Sequence, residues 1–218
     1  MRDSSGPAPT QARQVLAATQ VVFFVCVAMC VAIAHPRQVE SYGISYFGVH
    51  APTLPIISIG YGVASVGLWR TARFLDLPSV APYLASTLRV IAVALPLLLL
   101  TPFNHGSFFN WAHMGIGIVI GTTQMGAATY LFLRQRRATT TVAFFLQLIG
   151  GLVSAASLPD WGFNHMLDGE LVFEVGFAWC MILWTFVVAD GASTPTSPHG
   201  TRTRQIRPRS LYGEADEG

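Results

Sequence analysis

The sequence predicts an all-α fold, a polytopic membrane helix bundle of six transmembrane helices with both termini in the cytoplasm. Three observations carry that prediction. Only 11% of the residues are charged and 52% are hydrophobic, where a typical soluble domain carries about 25% charged residues. Six apolar runs follow one another, each near the ~20 residues that a helix needs to cross a bilayer. All 13 basic residues are arginines, and they sit beside alternate ends of those runs. With the N-terminus inside, Arg2, Arg13, Arg70, Arg73, Arg89, Arg134, Arg136, Arg137, Arg202, Arg204, Arg207 and Arg209 fall in the cytoplasm. Only Arg37 falls outside. That asymmetry is the one that orients membrane proteins. A net charge of +2, spread over short clusters beside apolar runs, excludes a nucleic-acid footprint.

Residues 1–13, polar and containing Pro and Ser, read as a disordered cytoplasmic tail. Residues 14–190 form the six-helix transmembrane domain, and 191–218, rich in Ser, Thr, Pro and Arg, form a second disordered tail. The first span covers 15–34. Its end, Ala32-Ile33-Ala34, looks like a signal-peptidase site. Its apolar stretch of about 20 residues exceeds the ~7–15 of a signal peptide, so it is expected to be retained. Residues 35–50 make the first outer loop. The second span, 51–68, holds Pro52 and Pro55 in its first turns, where a missing N–H costs least. Trp69, Arg70 and Arg73 follow it at the inner interface.

The third span, 84–100, carries Pro96 near its outer end and Arg89 near its inner end. From there Arg89 can reach back to the cytoplasmic headgroups. The fourth, 109–133, has about 25 residues, which at 1.5 Å each give roughly 37 Å. Its Gly117 and Gly121 have the spacing that lets a neighbouring helix approach closely. The fifth span is 141–157 and the sixth 171–188. Gln20, Gln124 and Gln147 lie within spans and read as hydrogen-bonding glue between helices. Cys26, Cys30 and Cys180 fall inside apolar runs, where they read as small packing residues.

The candidate site lies at the outer end. The stretch NHGSFFNWAH, 104–113, leads into the fourth span, and His35, His50, His105, His113 and His165 all fall on the outer side with Asp160, Asp168, Glu170 and Glu174. His113 and Glu174 each lie about one turn inside a span, at similar depth. A carboxylate there needs a partner facing the bundle interior, and His113, Asn110 or the Trp111 N–H can supply one. His105, Asn110, His113, His165, Asp168 and Glu174 are therefore the candidates for a lipid or ligand pocket. The same residues also suit a hydrogen-bonded plug that ties the loops to the helix ends. Imidazole and carboxylate can bind a metal or move a proton, but no metal-binding spacing is present, and no cofactor is expected.

Three stretches, SYGISYFGVHAP, NWAHMGIGIVIGTTQMGAATYLF and FNHMLDGELVFEVGFAW, resemble the six-span DRAM, Frag and Sfk-type membrane proteins and their bacterial relatives. The resemblance implies six spans with internal termini, a bacterial inner-membrane location and a role in membrane-lipid organisation. It points to Ser45, Gly48, Asn110, His113, His165 and Glu174. The loop cysteines of some eukaryotic members have no counterpart here. The leading expectation is a lipid-associated or scaffold protein whose partners are membrane lipids, a membrane-protein partner or a second copy of the chain. Two rivals remain open at this point: a membrane-embedded lipid-modifying enzyme using the outer His and acid residues, and a small-solute transporter.

Overall fold

The computed structural model describes residues 8–34, 43–75, 82–135 and 137–156. Their regular structure is entirely helical: α1 (Ala8–Ile33), a 3-10 turn (Gly43–Gly48), α2 (Leu54–Leu75), α3 (Pro82–Leu100), α4 (Ser107–Gln135) and α5 (Ala138–Ala156). The expected sixth span, 171–188, and the tail 191–218 lie outside the described residues. The other five expected spans coincide with the five helices, with shifted ends.

One of the two largest shifts is at α1, which begins at Ala8, inside the segment expected to be a tail. Pro9 falls in its first turn, where no N–H is required. Ala12 and Leu16 are buried against the bundle, so packing rather than hydropathy carries the helix outward. α2 likewise runs past Trp69 and both arginines to Leu75, because Leu68, Thr71, Ala72 and Leu75 all lie on its buried face.

Among the described residues, three helical segments are long and apolar enough to cross a membrane: Gln11–Ile33, Tyr83–Leu100 and Ser107–Arg134. Glycines, Tyr61 and two arginines dilute α2, and among the described residues α5 contributes a shorter apolar stretch, Ala138–Gly150. Large aliphatic side chains stand exposed in the middle of all five helices, among them Val21, Ile59, Val93, Ile118 and Ile149. Such a continuous apolar exterior exceeds what a water-soluble monomer normally shows. It is the surface that a lipid environment favours.

Each helix packs against the next, antiparallel. On α1 and α2, Cys26 meets Gly60 while Thr19 meets Gly67, so a step of seven forward on one helix is seven backward on the other. Tyr83 at the start of α3 lies 4.0 Å, centroid to centroid, from Tyr130 near the end of α4. Phe132 of α4 stacks on Phe144 of α5 at 4.7 Å. Lower down the same seam the Gln147 amide donates to Gln124 Oε1 at 3.4 Å, with both side chains buried. The glutamine pair thus bonds two helices, as read from the sequence. Gly117 and Gly121 are different. A Cβ at either position would meet nothing within 4 Å among the described residues; among those residues the close approach is at Gly60 and Gly67.

α2 and α3 are joined at a point that only the paired chemistry explains. Pro96 lies inside α3 and has no N–H to give the Ala92 carbonyl four residues back. Ser65 of α2 donates its hydroxyl to that carbonyl at 2.5 Å. A neighbouring hydroxyl is how membrane helices accommodate a proline. Ser65→Ala is therefore expected to cost about 1–2 kcal/mol of stability, the penalty for an unsatisfied buried carbonyl. In a Pro96→Ala background, where the helix supplies its own donor, the same change should cost far less. A double-mutant cycle of unfolding midpoints measures this, and additive losses would show that the two residues act separately.

Candidate functional site

The antiparallel order decides which residues share an end. The start of α1, the end of α2, the start of α3, the end of α4 and the start of α5 lie together, gathering Arg13, Arg70, Arg73, Arg89, Arg134 and Arg137. The opposite end gathers the 3-10 turn with Ser45, the end of α3 and the start of α4 with His113. Polar groups at that second end make the candidate site.

Local sequence builds each part. The segment between α3 and α4 turns at Pro102, whose carbonyl accepts the His105 N–H at 3.1 Å. Gly106 then adopts a φ of 104°, a conformation that costs glycine nothing and strains a side-chain-bearing residue. Its carbonyl accepts the Asn110 N–H at 3.0 Å, which starts α4 directly under the end of α3. On the other side, Thr53 is fully buried. Its hydroxyl lies 3.1 Å from the Phe47 carbonyl, and its own carbonyl is 3.7 Å from the Cys30 sulfur. These contacts fix the turn that carries Ser45 against both α1 and α2.

His113 joins the two halves. Its Nδ1 is 2.8 Å from the Thr101 carbonyl and its Nε2 is 2.9 Å from Ser45 Oγ. A carbonyl only accepts, so Nδ1 must carry the hydrogen. In the neutral ring Nε2 is then the acceptor, and Ser45 donates to it. The Thr101 carbonyl is one of the orphan acceptors past the end of α3, so His113 caps that helix from a neighbouring one. Phe103 closes the ring in edge-on at 6.1 Å.

A hydroxyl on one imidazole nitrogen and an orienting group on the other is also the arrangement of an activated nucleophile. Space decides against that use here. The cavity bounded by Ser45, Gly48, Leu99, Pro102, Phe103 and His113 offers about 10 Å³, the lower limit for a single water of roughly 10–15 Å³. Among the described residues that cavity leaves no room for an acyl or phosphoryl group.

Of the six candidate residues, His165, Asp168 and Glu174 lie outside the described residues. His105 and Asn110 are exposed and do not join His113. His105 Nδ1 instead lies 2.9 Å from Asn104 Oδ1, and its ring sits edge-on to Phe109. Asn110 is three residues from His113, an offset of about 60° around the helix, which takes it from the buried face to the rim. Both His113 nitrogens are engaged by Ser45 and Thr101 rather than by Asn110. Ser45 entered the sequence reading only through the resemblance. The Thr101 contact left no trace there, because every residue has a carbonyl. Among the described residues no group of three His, Cys, Asp or Glu side chains could hold a metal ion.

Among the described residues, fold and site together define a helical structure with membrane-length helices and a closed polar junction at one end. Comparison with known protein families, with curated proteins and with solved structures finds no match.

Proposed function

We propose that this chain is a six-span membrane protein with cytoplasmic termini, a lipid-associated scaffold of the DRAM, Frag and Sfk type rather than an enzyme. The membrane reading is supported by the exposed aliphatic belt and by the gathering of arginines at one end of the helices. The non-enzymatic reading is carried by one observation: the Ser45–His113–Thr101 junction fills its own cavity and leaves about 10 Å³. The junction's work is to hold the first outer loop, α3 and α4 in register. His105 and Asn110, which stand exposed, together with the acidic stretch that the sequence places at 165–174, are its contacts with lipid headgroups or a membrane partner.

The test is a time course on the purified protein in phospholipid nanodiscs, with the lipids followed by mass spectrometry. Phospholipids should remain associated and chemically unchanged. A lipid product that accumulates with the wild-type protein and disappears with Ser45→Ala would overturn the scaffold reading and make Ser45 a nucleophile activated by His113.

A further inference from the structure

We infer that the groove between α2 and α3 binds one anionic phospholipid, with its phosphate at Arg70 and Arg73 and an acyl chain along the groove. This rests on the membrane reading above. It goes further in naming a second site, at the opposite end from His113, and the class of lipid it takes.

The groove is open and has a volume of about 440 Å³, within the roughly 300–1,000 Å³ of small-molecule sites. Its floor is the crossing point of the two helices, where Ser65 donates to the Ala92 carbonyl beside Pro96. These small residues keep the floor low, and the Ser65 hydroxyl is already committed, so the middle of the groove offers a ligand little polar attraction. From that crossing the lining extends eight residues along α2 to Arg73 and eight along α3 to Leu100. At 1.5 Å per residue the span is roughly 24 Å. One leaflet's hydrocarbon is roughly 15 Å deep, so an acyl chain entering at the arginine end stays in the groove to the midplane.

The two ends differ in chemistry, and this selects the occupant. Trp69, Arg70 and Arg73 line one end, and the other finishes at Leu97 and Leu100. Arg70 and Arg73 are exposed. The Arg89 guanidinium lies 5.9 Å over the Trp69 ring, which adds a third positive charge at that end and fixes the indole at interfacial depth. Between residues 69 and 89 the sequence sets three arginines against one acid, Asp76. An apolar trough closed at one end by paired guanidinium groups matches a phosphate ester with a hydrocarbon tail. A zwitterionic headgroup brings its own cation into the arginines and is disfavoured.

The experiment is native mass spectrometry of the full chain, purified from membranes in mild detergent and titrated with phosphatidylglycerol or phosphatidylcholine of identical acyl chains. One phosphatidylglycerol should be retained about 20-fold more readily than phosphatidylcholine, as expected for two interfacial arginines. Arg70→Gln/Arg73→Gln should abolish that preference. Arg134→Gln/Arg137→Gln, which removes equal charge from the same end away from the groove, should preserve it. Val93→Trp, at an exposed lining position, should displace the bound lipid while the protein stays monodisperse. Equal retention of both lipids, or a preference that survives Arg70→Gln/Arg73→Gln, overturns the assignment. Displacement of phosphatidylglycerol by millimolar inorganic phosphate also overturns it, in favour of a soluble anion. Alkaline carbonate extraction separates the two levels: release of the chain from membranes would sink the membrane reading itself, whereas a retained chain without lipid preference sinks the groove alone.

Discussion

Gly67→Ala is expected to lower the unfolding temperature of the detergent-solubilised protein by roughly 6 °C, while Gly62→Ala on the same helix should leave it unchanged or slightly raised. A methyl group at Gly67 would lie 2.7 Å from Thr19 Cβ and 2.5 Å from its Cγ2. Thr19 cannot swing clear, because its Cβ is fixed to the α1 backbone and its hydroxyl is bonded to the Val15 carbonyl at 2.7 Å. The two helices must therefore part. Gly60 sits on the same seam with only 3.0 Å to Cys26 Cβ, so no slack is available along it. Overpacking of this kind costs about 1–3 kcal/mol, and each kcal/mol shifts the midpoint by roughly 2–4 °C in a chain of this size. At Gly62 a methyl group meets nothing within 4 Å, and alanine is the better helix former. Thr19→Gly should recover part of the Gly67→Ala loss by removing the obstructing atoms. Equal losses at Gly62 and Gly67 would mean that helix propensity, not the seam, governs these positions.

His113→Ala is expected to be at least as costly, about 2–3 kcal/mol, since it strands the Thr101 carbonyl and the Ser45 hydroxyl and leaves a small cavity. His113→Asn should recover part of that loss, as its amide can still donate towards Thr101. Paired with Ser45→Ala the losses should be non-additive by about 1 kcal/mol, since either change breaks the same bond. Chemical unfolding of the four proteins in one detergent measures the coupling. Full additivity would remove Ser45 from the junction and leave His113 as the cap of α3 alone.

These two sites show where sequence reasoning succeeds and stops. His113 is conspicuous because an imidazole one turn inside an apolar run demands a partner. Its partners are not conspicuous: one is a serine 68 residues away, the other a main-chain carbonyl. Gly117 and Gly121 stand out by spacing, yet among the described residues it is Gly60 and Gly67, seven apart, that meet a neighbouring helix. Glycine spacing permits close approach, but which face meets a neighbour depends on how the helices are rotated, and that is a property of the assembled bundle.

By itself the sequence determined the helical class, the membrane-length apolar segments and the gathering of arginine at alternate ends. Each is set by local hydropathy and by the cost of carrying a guanidinium across lipid, so no neighbour is needed to read it. Tertiary structure alone decided the rest. It carried α1 back to Ala8 through the buried Ala12 and Leu16, and it gave the Ala92 carbonyl a hydroxyl from Ser65 where Pro96 offers none. It also opened a groove with guanidinium groups at one end and closed the cavity beside Ser45 and His113. Each depends on atoms of separate helices arriving within a few ångströms of one another, a distance that no single helix can specify.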